Sequence, residues 1–264
     1  MVRSLWTAAT GMNGQQSNLD AISNNLSNVN TTGFKQQRVE FEDLLYQNIK
    51  LAGTPATEDT VTPLGVQMGS GVKVAATQRM FAQGNLQNTE VSTDLAIVGE
   101  GFFRVQQYDG SYAYTRDGSF KVDSNGQLVN SNGLRVMPEI ILPENFDIST
   151  LSISDDGRVS VKVAGDDNPI QVGQMELYRF ANPAGLEAKG DNLFITSNAS
   201  GDAIASRPGF DGTGITKHKF LEMSNVSVVN EMVQMIVAQR AYEFSSKAIQ
   251  TSDTMLSAAV NLKR

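Results

Sequence analysis

The chain has 264 residues, with Lys+Arg 21 against Asp+Glu 28, a net charge of −7 and a hydrophobic share of 40%. No stretch clusters Lys and Arg as a phosphate-tracking surface would, which excludes nucleic acid as a partner. Cysteine is absent, which removes disulfide scaffolds, thiolate zinc sites and cysteine nucleophiles together. Nothing approaches the ~18 consecutive apolar residues of a membrane span, so no membrane insertion is expected. Arg3 is not followed by the apolar run of a cleaved signal peptide.

Residues 4–29 read as a helix. Leu5, Met12, Leu19 and Leu26 recur every seven residues, with Ala8, Ile22 and Val29 three places after three of them, so an apolar seam runs down one face. The helix is weak. Gly11 and Gly14 each cost about 1 kcal/mol relative to Ala, and Asn24, Asn25, Asn28 and Asn30 compete for backbone hydrogen bonds near its end. Isolated helices of this length are marginal in water, so the segment is expected to order when its seam is buried. Gly33 suits a left-handed stop.

From Val39 to Lys50, Phe41, Leu44, Leu45 and Ile49 fall at near-helical spacing. Leu51 to Gly71 has little periodicity, carrying Gly53, Pro55, Pro63 and Gly65 among four threonines. It reads as an extended arm that resists regular structure and spans up to about 70 Å.

Residues 72–215 are β-rich. Leu95–Val98 and Phe102–Val105 flank a Gly99-Glu100-Gly101 turn, and Asp109-Gly110, Asp117-Gly118, Asn125-Gly126, Asn132-Gly133 and Asp156-Gly157 are hairpin or tight-turn signals. Short strands between them predict an antiparallel sheet domain, a distorted barrel or sandwich. Helix resumes after Ser227, a suitable N-cap, and runs to about 262. Val228, Met235, Tyr242, Ile249 and Leu256 repeat the seven-residue spacing, with small residues Ala238, Ser245, Ser252 and Ala259 beside them.

The expected fold class is therefore α+β, with terminal helices paired into a helical assembly domain, a central antiparallel β-rich domain and an extended connecting arm. The boundaries fall at 1–38 with 220–264, 39–71, and 72–219. Two uses of the seams stay open: they join copies of the chain, or they join the two helices of one chain.

No enzyme site emerges. The single histidine, His218, lies between two lysines without an orienting acid and reads as solvated surface. With one His and no Cys, transition-metal chemistry lacks ligands. Asp155-Asp156 and Asp166-Asp167 are too close in sequence to face one another as a hydrolytic acid and base, and Asp156-Gly157 already has a turn explanation. Asp123-Ser124-Asn125-Gly126 opens like a calcium loop, but Leu134 stands where the closing carboxylate belongs. Gly99-Glu100-Gly101 lacks the third glycine of a dinucleotide site. No catalytic, cofactor-binding or metal residue is expected, and no cofactor.

Four segments carry a resemblance. Ile22–Lys35, Asp94–Phe103, Tyr114–Phe120 and Ser224–Glu243 are similar to the signatures of the bacterial flagellar axial proteins of the rod and hook group. Within it, Glu42–Gln47 and the arm to Gly71 resemble the insertion of members that build the distal rod. The resemblance implies a self-assembling, torque-transmitting hollow helical tube in the basal body, crossing the periplasm and passing export substrates. It implies secretion by the flagellar type III apparatus without signal cleavage, and partners in other copies, the proximal rod and hook proteins, and the P- and L-rings of Gram-negative cells. A proximal rod or hook subunit is the near alternative; a peptidoglycan-acting enzyme or a secreted binding module is the alternative of a different class.

Overall fold

The computed structural model describes residues 2–53, 55–57, 60–61, 63–143, 146–163 and 168–261. They form two compact units. One comprises residues 1–27, 37–79 and 227–264; the other comprises 28–36 and 80–226. The sequence boundaries at 38, 71 and 219 fall elsewhere, because strand pairing holds 72–79 to 37–43, while buried charges draw 28–36 and 220–226 into the second unit.

The first unit contains α1 (Val2–Ser27), α2 (Val228–Asn261) and six strands between them. β1 (Gln37–Asp43) pairs with β6 (Val72–Arg79), β2 (Gln47–Lys50) with β5 (Val66–Met68), and β3 (Pro55–Thr57) with β4 (Thr60–Val61), all antiparallel. The nested pairs make one two-stranded ribbon. This corrects two expectations: 39–43 and 47–50 are strand rather than helix-like, and the arm at 51–71 contains regular strand. Each strand of a two-stranded ribbon has one free edge, so Pro55, at the head of β3, is tolerated there. Repeated Val and Thr supply the β-branched side chains that favour extension.

α1 packs against both the ribbon and α2. A Cβ on Gly14 would lie 3.3 Å from the Phe41 ring and 3.6 Å from Val72, so the glycine read as a helix weakness is where the ribbon approaches closely. Gly11 lies opposite Ser245 Oγ.

The second unit is built on a seven-stranded antiparallel sheet. Its strand order is 121–122, 128–129, 135–137, 103–106, 112–115, 193–195 and 187–190. Adjacent residues on a strand face opposite ways. Phe103, Ala113, Leu177 and Leu193 therefore enter one core with Leu95, Ile97 and Met175, while Phe102, Tyr114, Tyr178 and Phe194 enter an aromatic cluster with Phe180 and Leu186. Burial on both faces explains the continuous apolar runs in the sequence.

The turns at Asp109-Gly110, Asn125-Gly126, Asn132-Gly133 and Asp156-Gly157 each join paired strands, two of them within this sheet's 121–137 meander. Asp117-Gly118 does not join paired strands. A Cβ on Gly118 would sit 1.6 Å from the Leu95 carbonyl oxygen, whose own N–H donates to Gly118 O at 3.1 Å, so this glycine serves close backbone approach. Gly99-Glu100-Gly101 likewise makes no hairpin, since 95–98 pairs with 215–218.

Burial raises the pKa of Tyr114, and burial with the hydrogen bond to Glu176 raises that of Tyr178. A raised folded pKa gives stability that is present below the unfolded pKa near 10 and lost as pH rises above it. Absorbance at 295 nm is expected to show these two phenols ionising only together with unfolding above about pH 10. Smooth ionisation with the near-ultraviolet dichroism intact would contradict this.

Candidate assembly surface and buried ion clusters

In the first unit the helices run antiparallel. Ser4 Oγ and Ser252 Oγ lie 3.3 Å apart, and Asn25 Nδ2 donates to Glu231 Oε2 at 3.2 Å. With Gly11 opposite Ser245, the contacts step by seven and fourteen residues along each helix. The small stripe Ala238, Ser245 and Ser252 is thus used inside one chain, where Ala238 and Ser252 are buried. This is the intramolecular pairing that the sequence left open.

Asn25 is the polar hub of this unit. Its side-chain amide donates to Gln37 O and accepts from Gln37 N, both at 2.9 Å, substituting for a neighbouring strand at the start of β1. Asn25 and Glu231 are both 1% exposed. The asparagine read as a helix competitor instead ties α1 to α2 and to the ribbon.

The predicted seam residues scatter over several environments. Ile22 is buried, and Leu5, Met12, Leu19 and Leu26 are half-buried on α1. Val29 lies past the end of α1, so it does not extend the helical stripe. On α2, Met235, Ile249 and Leu256 are half-buried, whereas Val228 and Tyr242 are exposed. The positions missed by the seven-residue reading form a distinct face: Val229, Met232, Val233, Ile236 and Val237 are 52–71% exposed. Their i, i+3, i+4, i+7, i+8 spacing was visible in the sequence. Of the arm residues, Gly53 has open space around it, Pro63 is exposed, and a Cβ on Gly65 would meet Lys50 O at 2.6 Å.

In the second unit, Glu222 is 1% exposed and Lys35 is fully buried. Lys35 Nζ donates to Glu222 Oε1 at 2.7 Å and to Ala82 O at 2.8 Å. Gly84 N donates to the same carboxylate oxygen at 2.9 Å, and Arg116 Nη1 donates to Oε2 at 3.3 Å. Arg116 Nη2 reaches Gly99 O at 2.7 Å, and its guanidinium lies over the Phe102 ring. Gly33 N donates to Glu222 O at 2.7 Å, and Gly33 adopts φ +67°, where a Cβ would collide with the Arg116–Asp117 backbone. Burial lowers the pKa of both cations; Glu222 opposes this for each, and Arg116 adds to the lowering at Lys35.

The remaining candidates take structural roles. His218 is half-buried, not solvated: its Nε2 contacts Ser92 O at 2.7 Å. Arg158 Nε donates to Asp156 Oδ2 at 2.6 Å, and that hydrogen bond holds the carboxyl below the usual range, opposite to what a general acid needs. Asp166-Asp167 lie outside the described residues. Among the described residues no group of three or more His, Cys, Asp or Glu is placed to hold a metal.

Lys35, Arg116 and Glu222 come from three distant segments, and so do the family matches. Residues 5–35 match the family of the flagella basal body rod protein, 96–161 the flagellar hook protein FlgE/F/G D1 domain, and 217–262 the flagellar basal body rod FlgEFG protein C-terminal region. The chain is 59% identical to the flagellar basal-body rod protein FlgG of Borreliella burgdorferi over 264 residues, covering all of both. It belongs to the flagellar rod and hook protein family. It is also 45% identical over 263 residues to FlgG of Caulobacter vibrioides, covering 99% of this chain and 100% of that one. Its identity to FlgG of Bacillus subtilis is 42% over 270 residues, covering both completely. Within the family it is most like these rod proteins.

Removing one partner of a buried ion cluster leaves an uncompensated charge, at about 3–5 kcal/mol. Glu222→Ala, which strands two cations, is expected to cost at least that much. Lys35→Met leaves one cation on one carboxylate and is expected to cost less. Urea denaturation followed by near-ultraviolet dichroism measures both; the reverse order would contradict the charge accounting.

Proposed function

We propose that the chain is the structural subunit of the flagellar distal rod, a rigid hollow helical drive shaft that transmits torque and lets export substrates through. The family of rod and hook proteins supports a structural role in the flagellar basal body. The observation that carries the reading is the apolar face of α2 from Val229 to Val237. It is exposed while the helix's small-residue stripe is already occupied by α1. A face of that size on a single chain marks a surface that other subunits cover. Non-closing, head-to-tail contacts through such a surface generate a helix rather than a ring.

The half-buried seam residues Leu5, Met12, Leu19 and Leu26 on α1, with Met235, Ile249 and Leu256 on α2, would complete the packed inner layer of the tube. Ile22 supports it from the core, and Val228 and Tyr242 are free to meet neighbours. In this reading the chain is not an enzyme. Its partners are other copies, proximal rod and hook proteins at the two ends, the surrounding P- and L-rings in Gram-negative cells, and the type III export apparatus. Its place is the periplasm-spanning part of the basal body, reached without signal cleavage.

The ribbon gives the reading its stiffness test. A two-stranded ribbon alone is marginal in water, so its outer part, around Gly53, Pro55, Pro63 and Gly65, is held by neighbouring subunits in the tube. Deleting Gly53 to Leu64 is expected to leave a polymer visible by electron microscopy, but one of lower bending stiffness, with the melting temperature of the monomer little changed. Equal stiffness would make the ribbon a passive spacer. Failure of the full-length protein to polymerise would reject the rod-subunit reading itself.

A further inference from the structure

A groove of about 430 Å³ lies between the start of α1 and the ribbon, lined by Trp6, Thr10, Leu44 and Met68, with Arg3 and Gln47 at polar positions. Trp6 is the chain's only tryptophan and is 68% exposed. Met68 is half exposed, and Arg3 Nη1 donates to its sulfur at 3.7 Å. A large exposed aromatic beside an apolar groove is the usual anchor of a protein interface.

Resting on the rod-subunit reading, we propose that the Trp6 groove receives the Val229–Val237 face of α2 from a second copy of this chain. Three observations select that occupant. A groove of this kind accepts a helix through anchors at i, i+3, i+4 and i+7, and Val229, Met232, Val233, Ile236 and Val237 present that pattern to solvent. The face is free of exposed charge from 228 to 239, because the one ionisable residue there, Glu231, is buried against Asn25. The incoming helix therefore brings no ion of its own into the groove.

The third observation is geometric. Ser4 lies opposite Ser252, so Trp6 sits near the level of residue 250, about 25 Å along α2 from the centre of the apolar face at 1.5 Å per residue. A chain cannot fill its own groove with this face. Groove and face lie toward opposite ends of one helix pair, which is the polarity a head-to-tail contact requires.

The cysteine-free chain allows a direct test in the full-length protein. Met68→Cys and Met232→Cys are made singly and together, checked for fold by circular dichroism, and oxidised with copper phenanthroline under polymerising conditions. The two single variants mixed are expected to cross-link to each other, each alone to cross-link weakly, and the double variant to give a ladder beyond dimers. In wild type, Trp6 emission is expected to shift to the blue on polymerisation. Trp6→Ala is expected to raise the critical concentration at least tenfold, with Trp6→Phe restoring most of it.

Cross-linking of Met68→Cys mainly to itself would overturn the proposal, as would a double variant that stops at closed dimers or a polymer in which Trp6 emission stays that of the monomer. In each of those cases the rod-subunit reading survives, because the polymer still forms. Absence of any sedimenting polymer from the wild-type protein would instead overturn the rod-subunit reading, and this inference with it.

Discussion

A single carboxylate, Glu222, sets the terms on which the β-rich unit closes. It is buried, and burying a lone charge costs several kcal/mol unless it is paired and hydrogen-bonded. Lys35, Arg116 and the Gly84 amide meet that need, and the backbone oxygens of Ala82 and Gly99 each accept one further hydrogen bond from a cation. These groups come from positions 35, 82–84, 99, 116 and 222, so the pairing is satisfied only when segments from the beginning, middle and end of the chain are together. The cluster carries two cations on one acid, with Glu100 adding a weaker opposing field at Arg116. Hydrophobic isosteres would pack without the desolvation cost, so the cluster adds little net stability over an apolar core.

The helical unit solves a related problem with a neutral hub. Asn25 spends its amide on the Gln37 backbone and on Glu231, fixing where the ribbon leaves α1 and where α2 lies against it. Small residues then set the approach distance: Gly14 admits Phe41 and Val72, while Gly11 and Ser4 admit Ser245 and Ser252. A helix with poor intrinsic propensity is what this arrangement requires, because the glycines that weaken α1 in isolation are the positions at which its neighbours come close. The apolar residues from Val229 to Val237 on α2 are left exposed.

For a structural subunit these two features divide the work. The β-rich unit has two filled cores, one on each side of its central sheet, so its stability comes from within. The helical unit keeps an apolar face, an exposed tryptophan and a ribbon of marginal independent stability.

Much of the architecture follows from local pattern alone. The heptad spacing of the two ends predicts α1 and α2, and the Asp-Gly and Asn-Gly pairs mark most hairpins, because each depends on neighbours within a few residues. What depends on distant partners is not legible that way. Phe41 and Ile49 suit a helix by spacing, and only pairing with 66–79 makes their segments strand. Asn25, Lys35, Arg116, Glu222 and Glu231 look like ordinary polar residues until folding buries them, since a side chain's charge does not reveal which remote group will desolvate or neutralise it. By itself the sequence determined the helical ends, the β-rich middle and membership of the rod and hook family. Only the tertiary structure decided which stripe of α2 is consumed inside the chain and which stays exposed, because that choice rests on the close approach of two helices more than two hundred residues apart.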